Sequence, residues 1–191
     1  MIVKPFSARH TAENFGDRFL ISIPSKKNWF QMVFLFIWLA GWAFGEVMVG
    51  DILLAVFLKN SVGVPILFLF VWLAGWTAGG VFALYALLWQ LAGKEIIEIN
   101  GQAIRIGRSI FGIHFPKEYT SQYIKDLRVS TSMPPDMFGW SRTFALWGLG
   151  PGMIAFDYGA KTIRFSSGVD EAEAKQIISE ILQNYPQYKN K

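Results

Sequence analysis

The chain has 191 residues, 52% hydrophobic, 16% aromatic and 17% charged, with a formal net charge of +4 and no cysteine. A soluble domain usually carries about a quarter charged residues. The missing cysteine excludes disulfides, Cys-ligated zinc, iron–sulfur clusters and thiol catalysis, and anionic lipid accounts for the modest basic excess more simply than nucleic acid does.

The charge deficit is local. Residues 29–92 hold only Glu46, Asp51 and Lys59 as charges, whereas 93–191 hold 12 Lys/Arg and 10 Asp/Glu. That division predicts a cytoplasmic N-terminal segment over 1–28, a transmembrane hairpin over 29–92 and a water-soluble β-rich domain over 93–191, large enough for its own core. Within the first segment, Arg18–Ile23 reads as an edge strand or a stretch lying along the membrane. No cleavable signal is expected, because the first apolar run begins only after a polar stretch of 28 residues and is too long for a signal-peptide core.

The apolar runs extend over about 29–58 and 62–91, with Lys59-Asn60-Ser61 as the turn; roughly 20 residues suffice to cross a bilayer. Lys26 and Lys27 before the first run, and Lys94, Arg105 and Arg108 after the second, outweigh the single Lys59 between them. Both termini are therefore expected on the cytoplasmic side of the cell inner membrane. Trp29 and Trp89 are expected at the membrane–water interface.

The two runs share a phrase. Phe34–Val47 and Phe68–Val81 are identical at 10 of 14 positions, and each copy carries a Gly-xxx-Gly pair. In an antiparallel hairpin turning at Asn60, Gly41 would face Gly79 and Gly45 would face Gly75. Glycine lets helix backbones approach in lipid, so these four glycines are the expected point of closest approach. Trp38, Trp42, Trp72 and Trp76 form a stripe at i, i+4 spacing, suited to internal or lipid packing, or to docking another membrane subunit. Glu46 stands where the second copy has Gly80. Ionisable groups at membrane depth are often functional, but a reach to headgroups near the outer end is the simpler expectation. No ionisable residue in the second span could continue a proton path.

After Gly93 the apolar period falls to two. Glu95–Ile99 and Gln102–Ile106 flank Asn100-Gly101, a favoured type I′ turn pair. Further strands are expected over Ile110–Phe115, Glu118–Tyr123 and Ile124–Ser130. A second hairpin pairs Met153–Asp157 with Lys161–Phe165. The final helix, 170–184, has acidic residues in its first turn and a stripe of Ala174, Ile177, Ile178, Ile181 and Leu182. Between Ser132 and Gly152 lies an aromatic, glycine-rich loop with Trp140 and Trp147, expected to touch the membrane interface, a partner or the domain core.

The expected fold is an α+β membrane protein. A two-helix transmembrane hairpin is followed by a small β-barrel or bent sheet capped by a C-terminal helix, the element order of pleckstrin-homology-like domains. His10 and His114 are far apart without metal-ligand spacing. Gly148-Leu149-Gly150-Pro151-Gly152 lacks the Lys-Ser/Thr of a phosphate loop. No catalytic residue, metal or cofactor is expected.

Trp72-Leu-Ala-Gly-Trp-Thr-Ala-Gly-Gly80 and Phe156-Asp-Tyr-Gly-Ala-Lys-Thr-Ile-Arg-Phe165 resemble a widespread group of uncharacterised two-span bacterial membrane proteins, over residues 20–183. The layout is also similar to that of the two-helix photosystem I assembly protein. The resemblance implies topology and no site residues. The functional expectation is a non-enzymatic accessory or assembly subunit of an integral membrane protein complex, with Trp38, Trp42, Trp72, Trp76, Glu46, Trp140 and Trp147 toward the partner. The alternative is a module sensing anionic lipid or a peptide through Arg105, Arg108, Lys125, Arg128 and Arg164. Nucleic acid is not an expected partner.

Overall fold

The structure, a computed structural model, describes residues 9–59, 64–130, 144–145 and 147–188. The chain forms two compact units, Lys27–Leu91 and the segments on either side of it.

The first unit is a pair of helices, α1 (Trp29–Leu58) and α2 (Val64–Ala92). Asn28 caps α1, its side chain accepting a hydrogen bond from the Gln31 N–H at 3.3 Å. Both helices are long and apolar enough to cross a membrane, and only 11% of the most apolar stretch of each is buried. A helix that is apolar all round belongs in a large core or in a bilayer, and these two leave that surface uncovered: Phe30, Phe36, Ile37, Phe44, Val47, Phe68 and Val71 are all exposed. Trp29 is exposed as an interfacial ring would be, but Trp89 is buried. The expected turn residues Asn60 and Ser61 lie outside the described residues.

The second unit is built from nine strands and one helix among the described residues. β1 (Thr11–Asn14), β2 (Phe19–Pro24), β3 (Gly93–Ile99) and β4 (Ala103–Ile110) pair in order, antiparallel throughout. β5 (Ile113–His114) and β6 (Lys117–Thr120) both pair with β4. β7 (Ile124–Val129), β8 (Ile154–Tyr158) and β9 (Lys161–Phe165) form a separate three-stranded sheet. The terminal helix α3 (Glu171–Asn184) starts at Asp170, whose side chain accepts from the Glu173 N–H. Ala174, Ile177 and Ile181 of α3 meet Ile21, Ile97, Ile104, Ile154 and Phe156 in one core.

Several expectations need correction. The two sheets do not join into a closed barrel. Arg18–Ile23 is not an edge strand, because β2 runs between β1 and β3 with Phe19, Ile21 and Ile23 buried. The edge is β1, an exposed polar strand with no apolar alternation to announce it. Asn100-Gly101 is not a type I′ pair, since Gly101 is not among the positive-φ glycines. Asn100 instead opens the turn, and its side chain accepts from the Gln102 and Ala103 N–H groups at 2.9 and 2.7 Å. The left-handed pair occurs at Phe111 (φ 51°) and Gly112 (φ 85°), which breaks the expected strand over Ile110–Phe115 into a hairpin. The stretch expected as a strand over Glu118–Tyr123 becomes β6 followed by a single 3₁₀ turn, Ser121–Tyr123. The β8–β9 hairpin forms as expected, but its first strand runs one residue later than Met153–Asp157, with Tyr158 paired to Lys161 and the turn confined to Gly159-Ala160.

Candidate functional site in the repeated helices

The repeat brings its two copies together through tryptophan against glycine. A side-chain carbon on Gly80 would overlap the Trp42 ring, and one on Gly45 would lie 3.6 Å from the Trp76 ring. At Gly41, Gly75 and Gly79 nothing lies within 4 Å of such a carbon. Of the four glycines expected at the closest approach, only Gly45 meets the other helix in this way. The reason is size: each indole fills the groove that a glycine opens on the other helix, so the rings, not the backbones, set the spacing.

The tryptophans pack on one another across this seam. Trp72 and Trp76 stack with centroids 5.0 Å apart at 17°, and Trp38 meets Trp76 at 6.1 Å and 41°. The Trp42 indole N–H donates to the Trp76 carbonyl at 3.1 Å. All four tryptophans of the stripe thus join one cluster within the hairpin.

Glu46 belongs to the same seam. At 1.5 Å per residue it lies about 18 Å along α1 from Leu58, and it turns toward the second helix, not toward headgroups. The Thr77 hydroxyl is shared between Glu46 Oε1 at 2.6 Å and the Leu73 carbonyl at 2.8 Å. Glu46 Oε2 and Trp76 Nε1 are buried atoms without a hydrogen-bond partner. An acceptor and a donor therefore stand unmatched in an apolar helix pair, where an unpaired polar group is expensive.

In the β unit two buried carboxylates are held by backbone N–H groups, although Glu173 Oε2, Ser109 Oγ, Ser166 Oγ and the Tyr188 hydroxyl are buried without a hydrogen-bond partner. Glu173, 2% exposed, accepts from the Arg9 N–H at 2.8 Å and the His10 N–H at 3.0 Å, and its Oε1 lies 3.1 Å from His10 Nδ1. His10 Nε2 lies 3.2 Å from Glu180 Oε2, and Arg9 also donates to the Gly168 carbonyl. This cluster holds the segment leading into β1 against α3. Glu173 is thus more than a first-turn acid, a role its helix position alone could not disclose. Glu95, 5% exposed, accepts from the Ser166 and Ser167 N–H groups at 2.9 and 3.1 Å, tying β3 to the end of β9. Burial raises its pKa against the opposing effect of those two hydrogen bonds.

The five cations expected to meet lipid are spread over both sheets. Arg105 is paired with Glu118 at 2.7 Å and Glu98 at 3.8 Å. Arg128 makes a two-pronged pair with Asp157, at 3.0 and 3.1 Å, and also reaches Asp126. Arg108 donates to the Leu149 carbonyl at 3.5 Å. Lys125 is exposed on β7, opposite Asp157. Arg164 lies on β9, where Ala155 stands between it and Arg128 in the strand register. Trp147 is half-buried in a turn whose N–H groups return to the Phe144 carbonyl. Trp140 lies outside the described residues.

Among the described residues, no cluster of three or more His, Cys, Asp or Glu is arranged to hold a metal ion. Compared with known proteins, the chain matches no family profile, no curated protein and no solved structure.

Proposed function

We propose that this chain is a two-span inner-membrane protein with both termini cytoplasmic, acting as a non-enzymatic accessory or assembly subunit of a larger membrane complex. The observation that carries the reading is the unmatched pair in the seam, Glu46 Oε2 and Trp76 Nε1. Polar side chains in apolar helices join helices together, and the hairpin by itself leaves the hydrogen-bonding capacity of both atoms unused. Around them, the exposed apolar surface of α1 and α2 is suited to lateral contact with lipid and partner helices. The β unit, pleckstrin-homology-like in its order of strands and final helix, would cover the partner's cytoplasmic face.

The test is a pull-down of the tagged chain from its native membrane in mild detergent, with partners identified by mass spectrometry. One dominant stoichiometric complex is the expected result. Recovery of the chain alone, or only with copies of itself, overturns the reading.

Lipid sensing through Arg105, Arg108, Lys125, Arg128 and Arg164 is the weaker reading. Arg105 and Arg128 are already engaged by carboxylates, and a headgroup phosphate would have to displace them.

A further inference from the structure

The β4–β5 hairpin ends in an apolar point that the core does not use. Phe111 is 70% exposed, Ile113 68% and Phe115 83%. Large side chains this exposed at alternate positions through a turn and its return strand mark a contact surface. The turn is held in shape. Phe111 and Gly112 both have positive φ, and the return strand keeps one register with β4 on either side of Pro116. Gly107 makes room for Pro116, whose Cα would lie 2.9 Å from any side-chain carbon there.

Strand register fixes which end of the sheet bears this point. Ile110 pairs with Gly93, and Pro24 pairs with Lys94. Gly93 follows Ala92, the last residue of α2, with no linker, and only Ser25–Asn28 separate Pro24 from α1. The chain therefore enters and leaves the apolar helices at the end of the sheet where Phe111, Ile113 and Phe115 project. Charge is divided along the same axis. Lys26 and Lys94 are exposed at this end, Lys27 follows Lys26 in the chain, and Lys117 and His114 follow the turn. The sheet's acidic residues do not offset this charge: Glu13 and Glu98 flank Leu20 toward the opposite end, Glu118 is paired with Arg105, and Glu95, next to Lys94, is buried.

We infer that the Phe111–Phe115 hairpin is a membrane wedge, its apolar side chains seated in the interfacial layer of the bilayer and the surrounding lysines on anionic phospholipid headgroups. Apolar anchors ringed by lysine are what binding to an anionic bilayer surface requires. The inference rests on α1 and α2 being membrane spans. It would fix the β unit's rotation above the membrane, and so which of its faces a partner meets.

The native chain has no cysteine, so single labelling sites can be placed without background. The full chain carrying Ile113→Cys, Phe115→Cys, Ile37→Cys or Lys161→Cys is labelled with an environment-sensitive fluorophore. Each is reconstituted in vesicles of phosphatidylcholine and phosphatidylglycerol. Ile37 lies in α1 and reports the spans, while Lys161, exposed beside the β8–β9 turn, reports water. The expected result is blue-shifted emission at 113 and 115, quenched by a nitroxide carried high on the lipid chain and protected from aqueous iodide. If 37 is quenched by lipid while 113 and 115 behave like 161, the wedge is wrong and the spans stand. If 113 and 115 are shielded from both quenchers, protein covers the hairpin and the wedge is equally wrong. If 37 itself escapes lipid quenching, the span reading falls and takes the wedge with it.

Discussion

Trp42 and Trp76 occupy the same position in the two copies of the repeat, and the indole N–H of the first donates to the backbone carbonyl of the second at 3.1 Å. Identical residues therefore do different work. Trp42 lies over Gly80 with its N–H satisfied, while Trp76 lies over Gly45 with its N–H unmatched. The difference traces to one substitution within the repeat, Glu46 in the first copy against Gly80 in the second. Glycine at 80 admits an indole, and glutamate at 46 places a carboxylate beside Thr77.

This arrangement separates the glycines. Gly80→Ala puts a methyl into the Trp42 ring, so the indole must swing away and give up its bond to Trp76. Overpacking of this kind costs about 1–3 kcal/mol. Gly41→Ala and Gly79→Ala meet nothing and should change stability by less than about 0.5 kcal/mol. Thermal unfolding of the three variants in one detergent reads the contrast directly. Equal losses at all three positions would restore glycine-on-glycine packing.

The partner reading makes a separate demand on Glu46. Glu46→Gln keeps an oxygen for Thr77 and a polar end for a neighbour, so the complex should survive. Glu46→Ala removes both, and a hydrogen bond of this kind contributes about 1 kcal/mol to the hairpin itself. The expected outcome is a hairpin that still folds but recovers less of its partner complex in the detergent pull-down. Undiminished recovery with Glu46→Ala would remove Glu46 from the interface.

In the β unit, Glu173 serves two backbone N–H groups and one imidazole nitrogen. Truncating it to alanine leaves buried donors unsatisfied, at about 1–3 kcal/mol for each such group. Glu171→Ala, one position into the same helix but exposed, should stay within about 0.5 kcal/mol. Urea unfolding of the full chain in detergent, followed by fluorescence of the β unit, distinguishes them. A Glu173→Ala midpoint equal to that of Glu171→Ala would show that the cluster holds nothing in place.

Most elements were legible because their signals are local. Two apolar runs of this length read as long helices, the two strands of the β8–β9 hairpin alternate on either side of a glycine turn, and Asp170 caps a helix with a clean apolar stripe. What was not legible depends on neighbours distant in sequence. β1 carries no apolar pattern because both its faces are exposed, so only pairing with β2 reveals it. Phe111 is a poor candidate for a left-handed turn by residue type, and its conformation follows from the register that Ser109 and Ile110 impose on His114 and Ile113. Two open sheets instead of a barrel is a matter of which edges meet, which strand alternation does not encode. In the hairpin, the repeat identified the contacting stretch, but side-chain volume decided that indoles fill the glycine gaps.

Two carboxylates of the β unit should respond to pH with opposite sign. Glu95 has its pKa raised from the ordinary 4.5 by burial. Its folded form therefore holds a proton more tightly than the unfolded chain does, and its contribution to stability is complete below about 4.5 and lost as pH rises through the higher folded value. Asp157 is the reverse. Hydrogen bonds from Arg128 first and Thr162 second hold its pKa below the ordinary 3.8, so its contribution is present above 3.8 and lost as pH falls through the lower folded value. Asp157 is largely open to water, which makes that second effect small. Subtracting the pH profile of Glu95→Gln from that of the native chain should leave a difference that declines with rising pH from about 4.5 upward. For Asp157→Asn the difference should decline only at lower pH and in the acid direction. A native-minus-Glu95→Gln difference that grows with pH would mean that the Ser166 and Ser167 N–H groups outweigh burial, making Glu95 a stabilising anion.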